Sequence, residues 1–300
     1  MRGSIHGFGT ADGALPIQLL GRSVRLTLRQ LLRDKPALIG GVLVSAVLLV
    51  ALGAPLFANQ DPLHMEISIP LQPPSSEHVL GTDNFGRDLW ARIAYGSRNS
   101  LVTALLAVVS SGLIGVPLGL ASGYYGGFVG ALIMRIVDVF LAFPFILLAI
   151  ALVAVLGPSG LNVVIALSLV FWTQFARVVR ASVLDIRHQD FVEAALSIGA
   201  TDRRIMTRHI LPNVSAPIIV VATLGMGTAV IAESTLGFLG LGAPPPTPTW
   251  GGTLAFGLTY LTTAPGMSVY TGIAIMISVL GFNLLGEGLR DLWDPRLKNR

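Results

Sequence analysis

The chain has 300 residues, of which 53% are hydrophobic and only 12% charged. A soluble globular chain carries about 25% charged residues, so this composition leaves too little polar surface for water and suits a chain solvated by lipid. The absence of cysteine excludes disulfides, thiolate metal sites and a cysteine nucleophile, and the formal charge of +4 reflects membrane topology rather than nucleic-acid binding, because most basic residues sit in a few loops.

Residues 1–35 are mostly polar and read as a cytoplasmic tail. The first apolar run, Pro36 to Gln60, carries no charge and exceeds the roughly 7–15 residues of a signal-peptide core. It reads as an uncleaved anchor with a first span over 36–58, since about 20 apolar residues cross the hydrocarbon. An outer loop, 59–100, follows. Within it Leu89, Trp90 and Ile93 share one face of a short helix, with Arg87, Asp88 and Arg92 elsewhere on it. Asp88 and Arg92 have the spacing of an ion pair. The segment reads either as a helix lying at the membrane interface before span two or as a solvated loop helix.

Span two is expected over 101–121. Gly115, Gly119, Gly123 and Gly127 recur every four residues. Such a stripe lets helix backbones approach closely in lipid, either within the chain or against a second chain. No charge falls between Asp138 and Arg177, and Gly157-Pro158-Ser159-Gly160 breaks that run, which predicts a hairpin of spans three and four. Span five is expected over 213–235 and span six over 269–286. The last outer loop, 237–268, has no charge of either sign. Its run Pro244-Pro245-Pro246-Thr247-Pro248 forces a stiff path, and Trp250 suits the headgroup level. The loop either faces a partner or caps the bundle. With six spans and both ends inside, 17 of the 20 Lys and Arg residues fall on the cytoplasmic side. The expected fold is therefore an all-α integral membrane protein with six transmembrane helices, a core over 101–290 and a cytoplasmic tail over 291–300.

The loop 181–212 between spans four and five is the most informative stretch. Asp190 can cap a helix, with Glu193 completing a capping box. Ala194, Ala195 and Leu196 favour helix, and Gly199 is placed to end it. Thr201 can cap a second short helix, which is expected to stop before Pro212. Two short helices and a tight turn on the cytoplasmic face form a shape suited to being gripped by another protein.

Here the chain resembles a known family. Glu193-Ala194-Ala195, then Gly199, then Leu211-Pro212 is similar to the "EAA" motif of permeases in binding-protein-dependent ABC importers. In that family the motif forms the coupling helix that fits a cleft in the ATPase subunit, and Arg203 lies within the same loop here. His209-Ile210-Leu211-Pro212 resembles the peptide-importer branch. So do Gly81-Thr82-Asp83 with Gly86-Arg87-Asp88, Ala142-Phe143-Pro144, and Phe238-Leu239-Gly240-Leu241-Gly242 with Pro245-Pro246 and Trp250-Gly251. Asn283-Leu284-Leu285-Gly286, Leu289-Arg290-Asp291 and Asp294-Pro295-Arg296 complete the likeness. It runs from about residue 20 to the C-terminus and points to the "C" permease of the dipeptide/oligopeptide/nickel group.

The resemblance implies a non-enzymatic permease in the bacterial inner membrane. It implies a homologous second permease, two cytoplasmic ATPases, an extracytoplasmic substrate-binding protein, and short peptides, nickel chelates or another small solute as cargo. Its only lysines, Lys35 and Lys298, are not followed by Ser or Thr, so neither belongs to a phosphate-binding Walker loop, and any ATP is bound by another chain.

A secondary transporter is the alternative, and proton coupling needs ionisable groups within the membrane. The candidates for gate or pathway are Arg135 and Asp138 near the inner end of span three, where a mutual ion pair is the plain reading, Glu233 near the outer end of span five, and Phe143. Gly157-Pro158-Ser159-Gly160 also matches an intramembrane serine protease pattern, but none of the five histidines falls in a predicted span to serve as base.

Overall fold

The computed structural model describes residues 34–293, and these are almost wholly helical. The basic tail residues Arg2, Arg22, Arg25, Arg29, Arg33, Arg296, Lys298 and Arg300, and the Asp294-Pro295-Arg296 motif, lie outside the described residues.

Helix α1 (Lys35–Leu52) opens at Asp34, whose Oδ1 accepts the Ala37 N–H at 2.8 Å, with Pro36 in the first turn. It ends at Gly53 and is followed by the short α2 (Ala54–Phe57). Residues 58–88 then fold back over the start of α3 (Leu89–Tyr125). At about 1.5 Å per residue this 37-residue helix is about 55 Å long, well beyond a hydrocarbon core of about 30 Å.

The next span is bent. α4 (Gly127–Leu141) and α5 (Phe145–Leu156) meet at 86° across Ala142-Phe143-Pro144. Pro144 supplies no N–H to continue the ladder, and it disfavours helical geometry at Phe143. The expected turn follows: Gly157 has φ +92° and α6 (Gly160–Ile186) begins just beyond it.

Past α6 come α7 (Asp190–Ser197), α8 (Asp202–Arg204), a π-helical turn over Ile205–Ile210, and α9 (Leu211–Asn213). α10 (Ser215–Phe238), α11 (Trp250–Thr259) and α12 (Gly266–Trp293) complete the chain. Among the described residues five helices are long and apolar enough to cross a membrane, or up to six spans in all with the bent pair counted as one.

Glycines set the closest helix approaches. α1 lies on α12, where a Cβ on Gly40 would meet the Leu284 carbonyl carbon at 2.9 Å. α3 lies on α6 along the glycine stripe: a Cβ on Gly119 would meet the Ala176 carbonyl oxygen at 2.7 Å, and one on Gly123 would meet Val183 Cβ at 2.7 Å. The stripe therefore serves packing within the chain. Gly127 drops out of it, because it follows the break at Gly126 and faces open space. The main core fills the volume between α3, α5, α6, α10 and α12, with Leu101, Val108, Leu167, Phe171, Val230 and Leu236 at its centre.

Two expectations at the α3 end of the bundle are overturned. No separate interfacial helix precedes span two: Leu89–Tyr125 is one continuous helix, because nothing between Leu89 and Leu101 interrupts it. Asp88 does not pair with Arg92 either. Its Oδ1 caps α3 by accepting the Ala91 N–H at 2.7 Å, and its Oδ2 meets His78 Nδ1 at 2.9 Å. Arg92 turns instead to Asp83 (3.3 Å), which also holds Arg87 Nε at 2.6 Å. All five side chains are buried, since the loop 58–88 covers the helix start.

Trp250 does not present its ring to the outside of the bundle. It is 1% exposed. Its indole N–H donates to the Ile93 carbonyl at 3.1 Å and its backbone N–H to Ser100 Oγ at 3.2 Å. The reason is local: Thr249 Oγ1 accepts the Gly252 N–H and starts α11 at Trp250, while Gly251 lets that helix end lie against Gly237 of α10.

Candidate coupling hairpin and polar cavity

Two features at opposite ends of α10 hold the coupling-loop residues and Glu233. The first is the hairpin 190–213. Gln189, not Asp190, is the N-cap of α7 and makes no side-chain cap bond, so the capping box between Asp190 and Glu193 does not form; both acids instead face outward in the first turn, where the helix dipole favours them. The end of α7 follows the expectation. Gly199 has φ +76°, its N–H donates to Leu196 O at 2.9 Å, and the Ala200 N–H donates to Ala195 O at 3.1 Å. That pair of bonds is a Schellman turn, which needs a residue tolerant of positive φ.

Thr201 stands at the start of α8 but makes no side-chain cap bond. The second helix does not stop before Pro212. The chain widens into the π-helical turn, whose last bond runs from the Leu211 N–H to Met206 O, and Pro212 then occupies the first turn of α9. A proline there removes no needed donor, so the hairpin runs almost without interruption into α10. Short π segments of this kind concentrate at functional positions.

One face of the hairpin is anchored. Val192, Ala195, Ile205 and Ile210 pack with Leu120 of α3, Val179 and Val183 of α6, and Val214 before α10. Two polar ties reinforce this: Tyr124 Oη donates to Asp202 Oδ1 at 2.9 Å, and Arg187 Nη1 donates to Gly123 O at 3.2 Å. The other face is bare. Glu193, Ala194, Leu196, Gly199, Arg203 and Pro212 are exposed, and Ile198 is 83% exposed. Of the motif residues, then, Ala195 belongs to the anchor, Leu211 is half-buried, and the rest present themselves outward. Leu196 and Ile198 extend that outward face beyond the motif; an apolar pair beside a turn glycine, on a loop otherwise rich in charge, was the available signal.

The second feature is a cavity of about 380 Å³, apolar over much of its wall (Val102, Val163, Ala243) but lined also by Arg98, Asn99 and Thr103 of α3, Glu233 of α10, and Thr247 and Thr249 of the proline-rich loop. Glu233 is 3% exposed and accepts a 3.4 Å hydrogen bond from Ser234 Oγ. Asn99 Nδ2 donates to Pro248 O at 2.7 Å, which pins the loop to α3.

Arg135, Asp138 and Phe143 are not brought to this cavity. All three are exposed on the bent pair. Asp138 lies 3.4 Å from Arg177 rather than beside Arg135, because the turn at Gly157 returns α6 alongside α4.

The architecture defines a polytopic α-helical membrane protein that presents an anchored helical hairpin at one end of α10 and a cavity holding a buried carboxylate at the other. Residues 115–299 match the family model described as binding-protein-dependent transport system inner membrane component, and residues 24–74 match the N-terminal TM domain of oligopeptide transport permease C. A dipeptide transport system permease of Alkalihalophilus pseudofirmus is 46% identical over 92% of this chain and 90% of its own length. A di/tripeptide transport system permease of Pseudomonas aeruginosa is 43% identical over 89% and 90%. A glutathione transport system permease of Pectobacterium atrosepticum is 41% identical over 90% of each. The fold is similar to a solved chain of the MetNI methionine ABC transporter in an inward-facing conformation, at a TM-score of 0.54 and 20% identity, covering 67% of this chain and 96% of that one. The chain belongs to the family of binding-protein-dependent ABC importer permeases, the inner membrane components of bacterial transport systems.

Proposed function

We propose that this chain forms half of a peptide translocation pathway and is driven by separate ATPase subunits gripping the hairpin 190–213. The observation that carries this is the division of the hairpin into an anchored face and a bare one. Val192, Ala195, Ile205 and Ile210 fix it to α3, α6 and the start of α10, while Glu193, Leu196, Ile198 and Arg203 present an apolar tip between charges. A surface so built transmits a push rather than shedding it.

The remaining members of the assembly are a homologous second permease, two ATPases and an extracytoplasmic binding protein. The hairpin lies on the cytoplasmic side and the proline-rich loop outside, as the distribution of Lys and Arg requires. The chain itself carries out no catalysis. Closure of the ATPase pair tilts α6 and α10 and exchanges inward- for outward-facing states. Short peptides as cargo follow from the dipeptide and di/tripeptide permeases to which the chain is similar over nine-tenths of its length.

The test is co-purification of the tagged chain in mild detergent, with mass spectrometry of its companions. We expect a second permease and one or two ATPases, the ATPases lost on Glu193→Lys while the second permease is kept. Recovery of the chain without any ATPase would overturn the proposal.

A further inference from the structure

α10 carries a carboxylate to a place where no cation among the described residues pairs with it. Glu233 is 3% exposed, and among the described residues no Arg, Lys or His stands within ion-pair distance of it. A buried carboxylate is costly unless it meets a compensating charge. Among the described residues its side-chain hydrogen-bond neighbours are hydroxyls, Ser234 Oγ at 3.4 Å and Ser100.

Glu233 lines the 380 Å³ cavity, a volume within the roughly 300–1,000 Å³ of small-molecule sites. Arg98 lines the same cavity, is exposed, and does not pair with Glu233. The cavity wall therefore carries two opposite charges that do not pair, with Asn99, Thr103, Thr247 and Thr249 as neutral hydrogen-bonding groups and Val102 and Val163 among its apolar lining. The wall is built in advance: Asn99 holds Pro248, Thr249 starts α11, and the Trp250 N–H holds Ser100. A preformed wall lowers the cost of binding.

We infer that this cavity binds a short zwitterionic peptide, its α-ammonium on Glu233 and its carboxylate on Arg98. An ammonium has three donors and no acceptor, which suits one carboxylate surrounded by hydroxyls. A divalent cation would require more oxygen anions than the single carboxylate present. Arg suits a carboxylate through its paired donors. The inference rests on the peptide reading above and adds where in the membrane chain the cargo is first held.

The test uses the complex purified with its native companions in nanodiscs, without binding protein, and equilibrium dialysis of three radiolabelled probes: alanyl-alanine, its C-terminal amide, and N-acetyl-alanyl-alanine. The wild type is expected to hold the first two at least tenfold more tightly than the acetylated probe. Glu233→Gln removes that preference. Glu233→Asp keeps it in part, which separates charge from folding. Arg98→Gln weakens alanyl-alanine but not the amide. Equal binding of free and acetylated probes by the wild type, or no binding of any of the three, overturns the site.

Dipeptide uptake by cells with and without the chain separates the two claims. If the chain makes no difference to uptake while Glu233-dependent amine binding persists, the peptide reading fails and the ammonium site stands. If uptake depends on the chain but amine preference is missing, the site fails and the peptide reading stands.

Discussion

If the hairpin is a transmitting element, its anchor and its tip should fail differently. Val192 is fully buried against Val179, Val183 and Ile205. Val192→Ala deletes two buried carbons, about 1.6 kcal/mol at about 0.8 kcal/mol each, and the residual cavity raises the loss to about 2 kcal/mol. Applied to docking of the hairpin on the bundle, that is about a 30-fold rise in the undocked population. Ile198, 83% exposed, is little covered by the described residues, so Ile198→Ser should leave docking unchanged while removing apolar surface that a partner would cover. Hydrogen exchange of the chain in nanodiscs reads the difference at the amides of Glu193–Ala200. Val192→Ala should accelerate them about 30-fold, and Ile198→Ser less than about twofold. ATPase co-purification should fall in both variants. Equal acceleration by the two substitutions, or none by Val192→Ala, would refute the division into anchor and tip.

Three further outcomes follow from the packing. Gly119→Leu places a side chain where even a Cβ meets the Ala176 carbonyl at 2.7 Å; overpacking of this kind costs about 1–3 kcal/mol or more, so thermal stability in detergent should drop clearly, whereas Gly112→Ala, with its nearest atom at 3.6 Å, should match the wild type. Asp83→Ala strands Arg87 and Arg92 without their shared carboxylate, and a loss of about 3–5 kcal/mol should appear as poor membrane yield; a normal melting temperature would contradict the buried cluster. Arg177→Ala breaks an exposed pair with Asp138, worth less than about 1 kcal/mol, and should leave both melting temperature and transport unchanged, while a transport defect would show that the pair belongs to the pathway.

The apolar segments and the hairpin were legible because each is written locally. Uncharged length marks the spans, and the spacing from Glu193 to Pro212 marks two helical pieces about a glycine. The cluster around Asp83 was not, because its meaning is tertiary. Arg87, Asp88 and Arg92 read as the polar side of a surface helix until residues 58–88 are laid over them, and no periodicity reports that cover. Gly81 and Gly86, both at positive φ, were the available hints of a tightly folded loop. The cavity was legible only in part. Glu233 stands out as a rare acid in an apolar stretch, but Arg98 and Thr249 reach it from far away in sequence. The bend at Ala142-Phe143-Pro144 was written in Pro144, yet an unbroken run of uncharged residues masked it.

One helix joins the hairpin to the cavity. The π-helical turn ends at Leu211, α9 follows, and Val214 of the anchored cluster directly precedes α10. Glu233 stands about 27 Å further along that helix, at about 1.5 Å per residue. α10 has no proline beyond Pro217 in its first turn to absorb a displacement. The far wall of the cavity, by contrast, belongs to the proline-rich loop, which Asn99 ties to α3. Pushing the hairpin therefore moves Glu233 relative to Asn99 and Pro248 only if α10 shifts against α3. A disulfide between cysteines placed at Gly225 and Val108, where a Cβ on Gly225 would lie 3.7 Å from Val108 Cγ2, should lock that shift. Transport should stop on oxidation and return on reduction, with the ATPases still attached. Transport undiminished by the crosslink would mean that the push from the hairpin reaches the cavity by a route other than α10.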